Sequence, residues 1–537
     1  MAANHQRSKP ASLHVLAPEI PTRLMVLAYL VLAAIALVPI MLVELPGLGD
    51  YLNHLARMRV IAGYDSSAEL RALYGFDPLL RPYLAMDLIV PKLSSVMSIY
   101  DAGRVFIALA IVMPVLGVIA LHLTAWGKLG ATPALIMLFA YSSMLSWGFL
   151  NYLFAIGVAL PLLALWLRAG TWPRWRRAAF LAVAATLIYF CHLLAFGAYC
   201  LGVAGIEFAR AWRSGRGHWR SIALDWVAAA VQALPGALLV SQLDMDRFTV
   251  PPSLTAFGSL SARLDALASP FVFLGGTADV VGIVTVLAIL ALALLRRRIA
   301  IAGVLWPAGV LIWLLALVTP EWIDGTWGIH LRLPLVGMLI LVAALNIRLA
   351  RREQIALLAV VAAVTAFKAA AATNSLRRVE RDIAEMRELV QVIPRGARVL
   401  VAQAQAPDAI NRVGPWRMTS QMAMVALIER DAFVPFLFSG VPMVRPRLEL
   451  LPLSTPHGHP LSRAQLAEGL TAADGPGMPE GDGQGRRIYW RDWPAKFTHL
   501  IWQHYGAPGL DHPALLEQVA TGRSTTIYRI HQPATPK

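Results

Sequence analysis

Cysteine is nearly missing from this chain. Cys191 and Cys200 are the two in 537 residues, both inside apolar runs, so neither a disulfide framework nor a thiolate metal site can be built. Charge is scarce too: Asp, Glu, Lys and Arg make up 15% of the residues, against about 25% in soluble globular proteins. There is no glycine-rich phosphate loop and no serine-nucleophile elbow. No His-x-x-x-His or Glu-x-x-His pair lies on an apolar run, Asp50 with His54 supplies too few ligands, and His457 with His459 lacks an evident third. No metal site is therefore assigned. These absences exclude a soluble domain and a disulfide-stapled secreted module.

What is present is apolar residue, 57% of the chain, in long runs. Measured against about 20 apolar residues per bilayer crossing, the chain gives about eleven spans. They lie near 24–43, 104–123, 132–147, 150–167, 178–191, 193–209, 222–241, 277–295, 299–318, 333–347 and 354–373. The net charge of +15 is no nucleic-acid signal, because Lys and Arg gather in short links between these runs. Alternate links hold Lys128; Arg168, Arg174, Arg176 and Arg177; Arg210, Arg213, Arg216 and Arg220; Arg296 to Arg298; and Arg348, Arg351 and Arg352. The intervening links hold Arg247, Arg263 and Arg332. That asymmetry predicts a cytoplasmic N-terminus and an extracytoplasmic C-terminus. Arg7, Lys9 and Arg23 precede the first run with no small-residue cleavage site after it, which reads as a retained signal anchor.

Two hairpins are too short for comfort. Residues 178–209 must cross and return, turning at Tyr189-Phe-Cys-His192, and 132–167 turns at Trp147-Gly-Phe-Leu-Asn151-Tyr152. Limbs of this length rise about 24 Å, less than the roughly 30 Å apolar core. Their turns should therefore be recessed and line a protein hollow that opens outward. Two longer outer segments remain. The first, about 44–103, reads as one or two interfacial helices plus extended chain. The second, 374–537, reads as a small α/β domain with a charged helix at 376–392, a helix near 416–430 and strands at 398–402, 498–502 and 525–529. Residues 472–486, rich in Gly and Pro, read as a flexible loop. The division expected is a transmembrane part, 1–373, and an extracytoplasmic domain, 374–537.

The outer links concentrate the polar side chains. Just after the first span stands Gly-Leu-Gly-Asp50-Tyr-Leu-Asn53-His54-Leu-Ala-Arg57, which on a helix places Asp50, Asn53, His54 and Arg57 on one face. Other outer links add Glu44, Asn151, His192, Glu321, Asp324, His330 and Arg332. Each has a plain alternative. Asp50 is well placed as a helix N-cap, and His54 with Arg57 could be the wet face of an interfacial helix. His192 could be a satisfied structural histidine. Arg332 and Lys368 are placed to snorkel toward headgroups, and Trp147, Trp322 and Trp327 to sit in the interfacial belt.

A first span followed by a long outer loop with an early acid, short hairpins and an outer C-terminal domain resembles the GT-C superfamily of integral-membrane glycosyltransferases. The match spans roughly residues 20–370. The D-Y-L-N-H-L-A-R string and the G-F-L-N-Y turn (Gly148 to Tyr152) also look like a group of poorly characterised bacterial multi-pass proteins. The sequence departs from many superfamily members in lacking a paired acid beside Asp50. The resemblance implies an all-α polytopic bundle and an inner-membrane transferase. Such an enzyme moves a sugar, with inversion, from a polyprenyl-phosphate carrier to an extracytoplasmic glycan or lipid. Asp50 would be the catalytic base. Asn53, His54, Arg57, Asn151, His192, His330 and Arg332 would bind substrate, and a divalent metal is left open as cofactor. Two other classes fit the same topology: a transporter or flippase of lipid-linked sugar, and a non-catalytic anchor for the outer domain. Polar residues gathered at the outer edge favour the transferase over a transporter, whose polar residues would lie at mid-bilayer.

Overall fold

The computed structural model describes residues 20–531 except 78–80, 215–217, 243–254, 324–325, 405–418, 420, 439–442, 456–457, 472–487 and 513. The 472–486 loop, Arg7, Lys9, Asp324, His457 and the start of the 416–430 helix thus lie outside the described residues. Among the described residues, seven helices are long and apolar enough to cross a membrane: Thr22–Leu42, Ile99–Trp126, Leu150–Thr171, Leu193–Ser214, Trp219–Ser241, Thr277–Leu295 and Arg351–Val392. The other expected spans coincide with shorter segments, Thr132–Ser146, Trp306–Leu315 and Ile329–Ala344, and the basic-headed helix Arg174–Cys191; the expected spans 299–318 and 333–347 are shortened because Ile299–Ile301 and Leu345–Ile347 pair as antiparallel strands. Exposed Val280, Val284, Leu287 and Leu294 on Thr277–Leu295 face outward, as lipid-facing side chains do. The chain is a multi-pass membrane protein.

The bundle centre forms where small residues let backbones meet. A Cβ on Gly157 would fall 2.3 Å from the Met113 Cβ, so Leu150–Arg168 packs closely on Ile99–Trp126. In the 174–214 hairpin, His192 alone separates the helices, its extended backbone (φ −168°) ending the first. The other hairpin differs from expectation in its first limb. Thr132–Phe139 is a 3-10 helix, a form with poorer internal hydrogen bonding, and it is wholly buried. Lys368 explains how it survives there. Instead of snorkelling, its ammonium turns inward and donates to the Leu138 (3.1 Å), Tyr141 (3.3 Å) and Phe271 (3.0 Å) carbonyls. It also pairs with Asp279 at 3.4 Å. Carbonyls freed by the irregular segment are thereby answered.

A second difference concerns the last span. It and the charged helix after it are one helix, Arg351–Leu389, of 39 residues. At about 1.5 Å per residue it is nearly 60 Å long, and Ala-Ala-Thr-Asn-Ser between the two expected pieces contains no breaker. The expected 373/374 division falls inside it. Beyond lies the α/β domain, a five-stranded mixed sheet in the order Leu516–Thr521, Thr525–Ile530, His499–Gln503, Val399–Gln403, Leu461–Ser462. The last three strands run parallel and the first two pair antiparallel.

The loop that follows the first span is clasped by this domain. Its strand Tyr74–Phe76 pairs with Val444–Pro446. The fully buried carboxylate of Asp431 accepts from Arg59 and Ser67 and pairs with Arg395. The helix Tyr51–Gly63 is consequently not interfacial. Leu52, Leu55 and Met58 on one side and Asn53 on the other are all inaccessible to solvent, with Arg57 1% exposed.

Candidate functional site

Asp50 is held by its backbone. Gly49 N–H donates to the Ser146 carbonyl (2.9 Å) and Asp50 N–H to that of Trp147 (2.8 Å). This contact needs Gly148, whose φ is +75° and whose added Cβ would lie 2.8 Å from the Asp50 and Tyr51 nitrogens. The opening motif and the G-F-L-N-Y turn are therefore two sides of one structure. The Asp50 side chain makes no capping hydrogen bond to its helix. It stands within electrostatic range of Arg332.

Arg332 lies in the first turn of Ile329–Ala344 and is 7% exposed, buried in protein and not extended toward headgroups. Its guanidinium donates to the Trp327 carbonyl (2.6 Å) and stacks on Phe149 at 3.9 Å. Its Nε is buried without a partner among the described residues. Tyr152 donates to the Arg332 carbonyl at 2.6 Å, so the G-F-L-N-Y turn supplies both the stacking ring and a tether.

Asn151 acts on backbone. Its Oδ1 accepts from Met86 N–H (2.8 Å) and its amide donates to the Tyr83 carbonyl (3.2 Å), fixing the start of the helix Leu84–Leu93. Tyr83 has φ +76°, a left-handed conformation that costs a non-glycine residue about 1–3 kcal/mol and gathers at functional sites. The reward is ring placement: Tyr83 and Tyr152 meet His192 edge-on at 4.7 and 5.1 Å. The backbone N–H of Leu194 donates to His192 Nδ1 at 3.2 Å.

Arg57 joins the cluster from below. It clamps Asp87 through two nitrogens (2.7 and 3.2 Å), and another of its nitrogens lies 3.2 Å from His54 Nδ1. Burial first, then Arg57, holds the His54 imidazole well below its ordinary pKa. Burial raises the Asp87 carboxyl, and Arg57 pulls it back in part.

The structure thus brings together Asp50, His54, Arg57, Asn151, His192 and Arg332. His330 is nearby but separate, 3% exposed, with Nδ1 unpartnered and Glu321, Arg332 and Arg263 as its charged neighbours. Asn53 points elsewhere. Its amide donates to Gln421 Oε1 (2.9 Å) and the Phe436 carbonyl (2.8 Å), and its Oδ1 accepts from Phe438 N–H (2.7 Å). Asn53 sews the motif helix to the outer domain. Among the described residues, no group of three or more His, Cys, Asp and Glu is placed to hold a metal. An open cavity of about 460 Å³ lies elsewhere, among Glu207, Arg210, His218 and Asp225.

Sequence reasoning missed Asp87, Tyr83 and Phe149. Asp87 had a usable signal, since a lone acid in the run Leu-Ala-Met-Asp-Leu-Ile-Val needs a buried cation. Tyr83 and Phe149 had none, because their roles come from ring packing across distant segments.

The polytopic bundle with a short-hairpin centre, a clasped loop and a C-terminal α/β domain is a fold shared with solved structures. No protein-family model and no curated sequence matches the chain. Solved structures do: the chain is similar to ArnT from Cupriavidus metallidurans bound to undecaprenyl phosphate, with TM-score 0.52 and 12% identity over 96% of this chain and 100% of that one. The apo state of the same protein matches with TM-score 0.51 and 13% identity over 95% and 98%.

Proposed function

We propose that this protein is a membrane glycosyltransferase that moves a sugar from a polyprenyl-phosphate carrier to an extracytoplasmic glycan or lipid hydroxyl. The observation that carries this reading is Asp50 standing within electrostatic range of Arg332, whose buried Nε has no partner among the described residues. The fold it occurs in is shared with a protein crystallised with undecaprenyl phosphate. A lone buried guanidinium nitrogen beside a carboxylate suits a phosphate next to an attacking hydroxyl.

In the proposed reaction Asp50 accepts the proton of the acceptor hydroxyl as its oxygen bonds to the anomeric carbon. The bond from that carbon to the phosphate oxygen breaks, and its electron pair stays on the lipid phosphate, where Arg332 meets the growing charge. Attack opposite the phosphate inverts the anomeric carbon. The basic links set the proposed orientation, with the C-terminal α/β domain on the extracytoplasmic side. In that orientation the domain closes over the motif helix through Asn53 and Asp431.

The test is Asp50→Asn, with membrane insertion and the melting curve checked against wild type. Lipid-linked sugars are then extracted from cells holding each form. The carrier-bound sugar should accumulate with the variant, at a transfer rate lower by about 10²–10⁴-fold. Unchanged product would remove Asp50 as base. Vesicle transport of the lipid-linked sugar without any covalent change would replace the transferase with a flippase.

A further inference from the structure

We propose that His54 and His192 are two tautomer-locked neutral donors, each carrying its proton on Nε2 and offering it to the phosphate of the lipid substrate beside Arg332. This deepens the transferase reading and rests on it.

The lock follows from donor chemistry. A guanidinium has only donors, so the Arg57 nitrogen 3.2 Å from His54 Nδ1 requires that Nδ1 accept. The backbone N–H of Leu194 imposes the same on His192 Nδ1 at 3.2 Å. A neutral imidazole whose Nδ1 accepts holds its hydrogen on Nε2. A doubly protonated ring would aim N–H at N–H in both places. Neither lock is loose. Arg57 is fixed by Asp87, both side chains being 1% exposed, and Leu194 belongs to the first turn of a long helix. The ring planes are set as well: Tyr83 and Tyr152 bracket His192, and Phe438 of the outer domain meets His54 edge-on at 5.5 Å.

The two rings and Arg332 belong to one neighbourhood: Tyr152 meets the His192 ring and donates to the Arg332 carbonyl, and Arg332 and His54 both act electrostatically on His192. Their known hydrogen bonds among the described residues all pass through Nδ1. Nε2–H is what each has left for a ligand. Two consequences follow. As the departing phosphate gains negative charge, neutral donors can meet it without adding repulsion against Arg332 and Arg57. With its free nitrogen already protonated, neither histidine can take the acceptor's proton, which leaves that role to Asp50. Arg57 and Asp87 are positioning residues, acting on substrate only through His54.

Glutamine and asparagine separate the two ring nitrogens, because a glutamine amide reaches the place of Nε2 and an asparagine amide only that of Nδ1. Full-length protein in nanodiscs is titrated with undecaprenyl phosphate. His54→Gln and His192→Gln should weaken binding no more than about threefold, and His54→Asn and His192→Asn about tenfold or more, one charge-assisted donor each. Histidine ¹⁵N spectra of wild type, assigned by loss of a single signal in each variant that keeps the other histidine signals, give a second readout that does not depend on affinity. Both residues should show a bare Nδ1 and a protonated Nε2. A protonated Nδ1 on either ring, or equal affinity of the Gln and Asn forms, overturns the inference and leaves the transferase standing. Wild type that fails to bind undecaprenyl phosphate removes both.

Discussion

Arg57→Met tests whether the pair beneath the site is a buried salt bridge or an incidental contact. Both partners are 1% exposed, and the guanidinium grips both carboxylate oxygens of Asp87 at 2.7 and 3.2 Å. Deleting one partner of such a pair leaves an uncompensated charge and costs about 3–5 kcal/mol. Replacing both by apolar residues removes the charge itself, so Arg57→Met with Asp87→Leu should recover most of that loss. The pH dependence has a definite sign. With Arg57 gone, burial alone acts on Asp87, and burial raises its carboxyl. An acid raised in the folded state contributes stability that is fully present below its unfolded pKa of about 3.9. That stability is lost as pH rises through the folded value. The deficit of Arg57→Met should therefore be largest near about pH 8 and shrink toward about pH 5. Melting curves of detergent-solubilised protein, read by tryptophan fluorescence at both pH values, measure it. A deficit under about 1 kcal/mol, the value of an exposed pair, or one that ignores pH, would refute the reasoning.

Asn53→Ala deletes three hydrogen bonds to the α/β domain, two buried and one part-buried, and should cost about 2–4 kcal/mol at roughly 1 kcal/mol each. Limited proteolysis should then cut within the α/β domain faster while the bundle stays protected. Gly148→Ala forces a Cβ to within 2.8 Å of the Asp50 nitrogen at a φ of +75°. Left-handed backbone alone costs about 1–2 kcal/mol, so transfer activity should drop at least about tenfold in protein that still inserts. Lys368→Met takes the cation from Asp279, whose Oδ2 keeps three backbone N–H donors, and removes the donor to three carbonyls. It should destabilise by about 3–5 kcal/mol, measured by melting in detergent, with part regained by adding Asp279→Asn.

Much of this fold was legible because membrane helices obey a length rule: seven expected spans fall on helices long and apolar enough to cross, and the other four on shorter or less apolar helical segments. The errors fall where tertiary partners override local pattern. Lys368 looked like a snorkelling lysine because nothing local shows that the 3-10 segment across the bundle would expose carbonyls to it. Helix Tyr51–Gly63 looked interfacial because its covering, the outer domain, is remote in sequence: Phe436 and Phe438 reach Asn53 across more than 380 residues. The same remoteness decides what the candidate site is. Spacing alone put Asn53, His54 and Arg57 on one face with one presumed task. The structure divides them by partner, giving Asn53 to the domain clasp and Arg57 to Asp87 and His54. Periodicity can say which side chains share a helix face. What each does there depends on the groups that satisfy it first, so the ones left with an open donor or acceptor are where substrate should be sought.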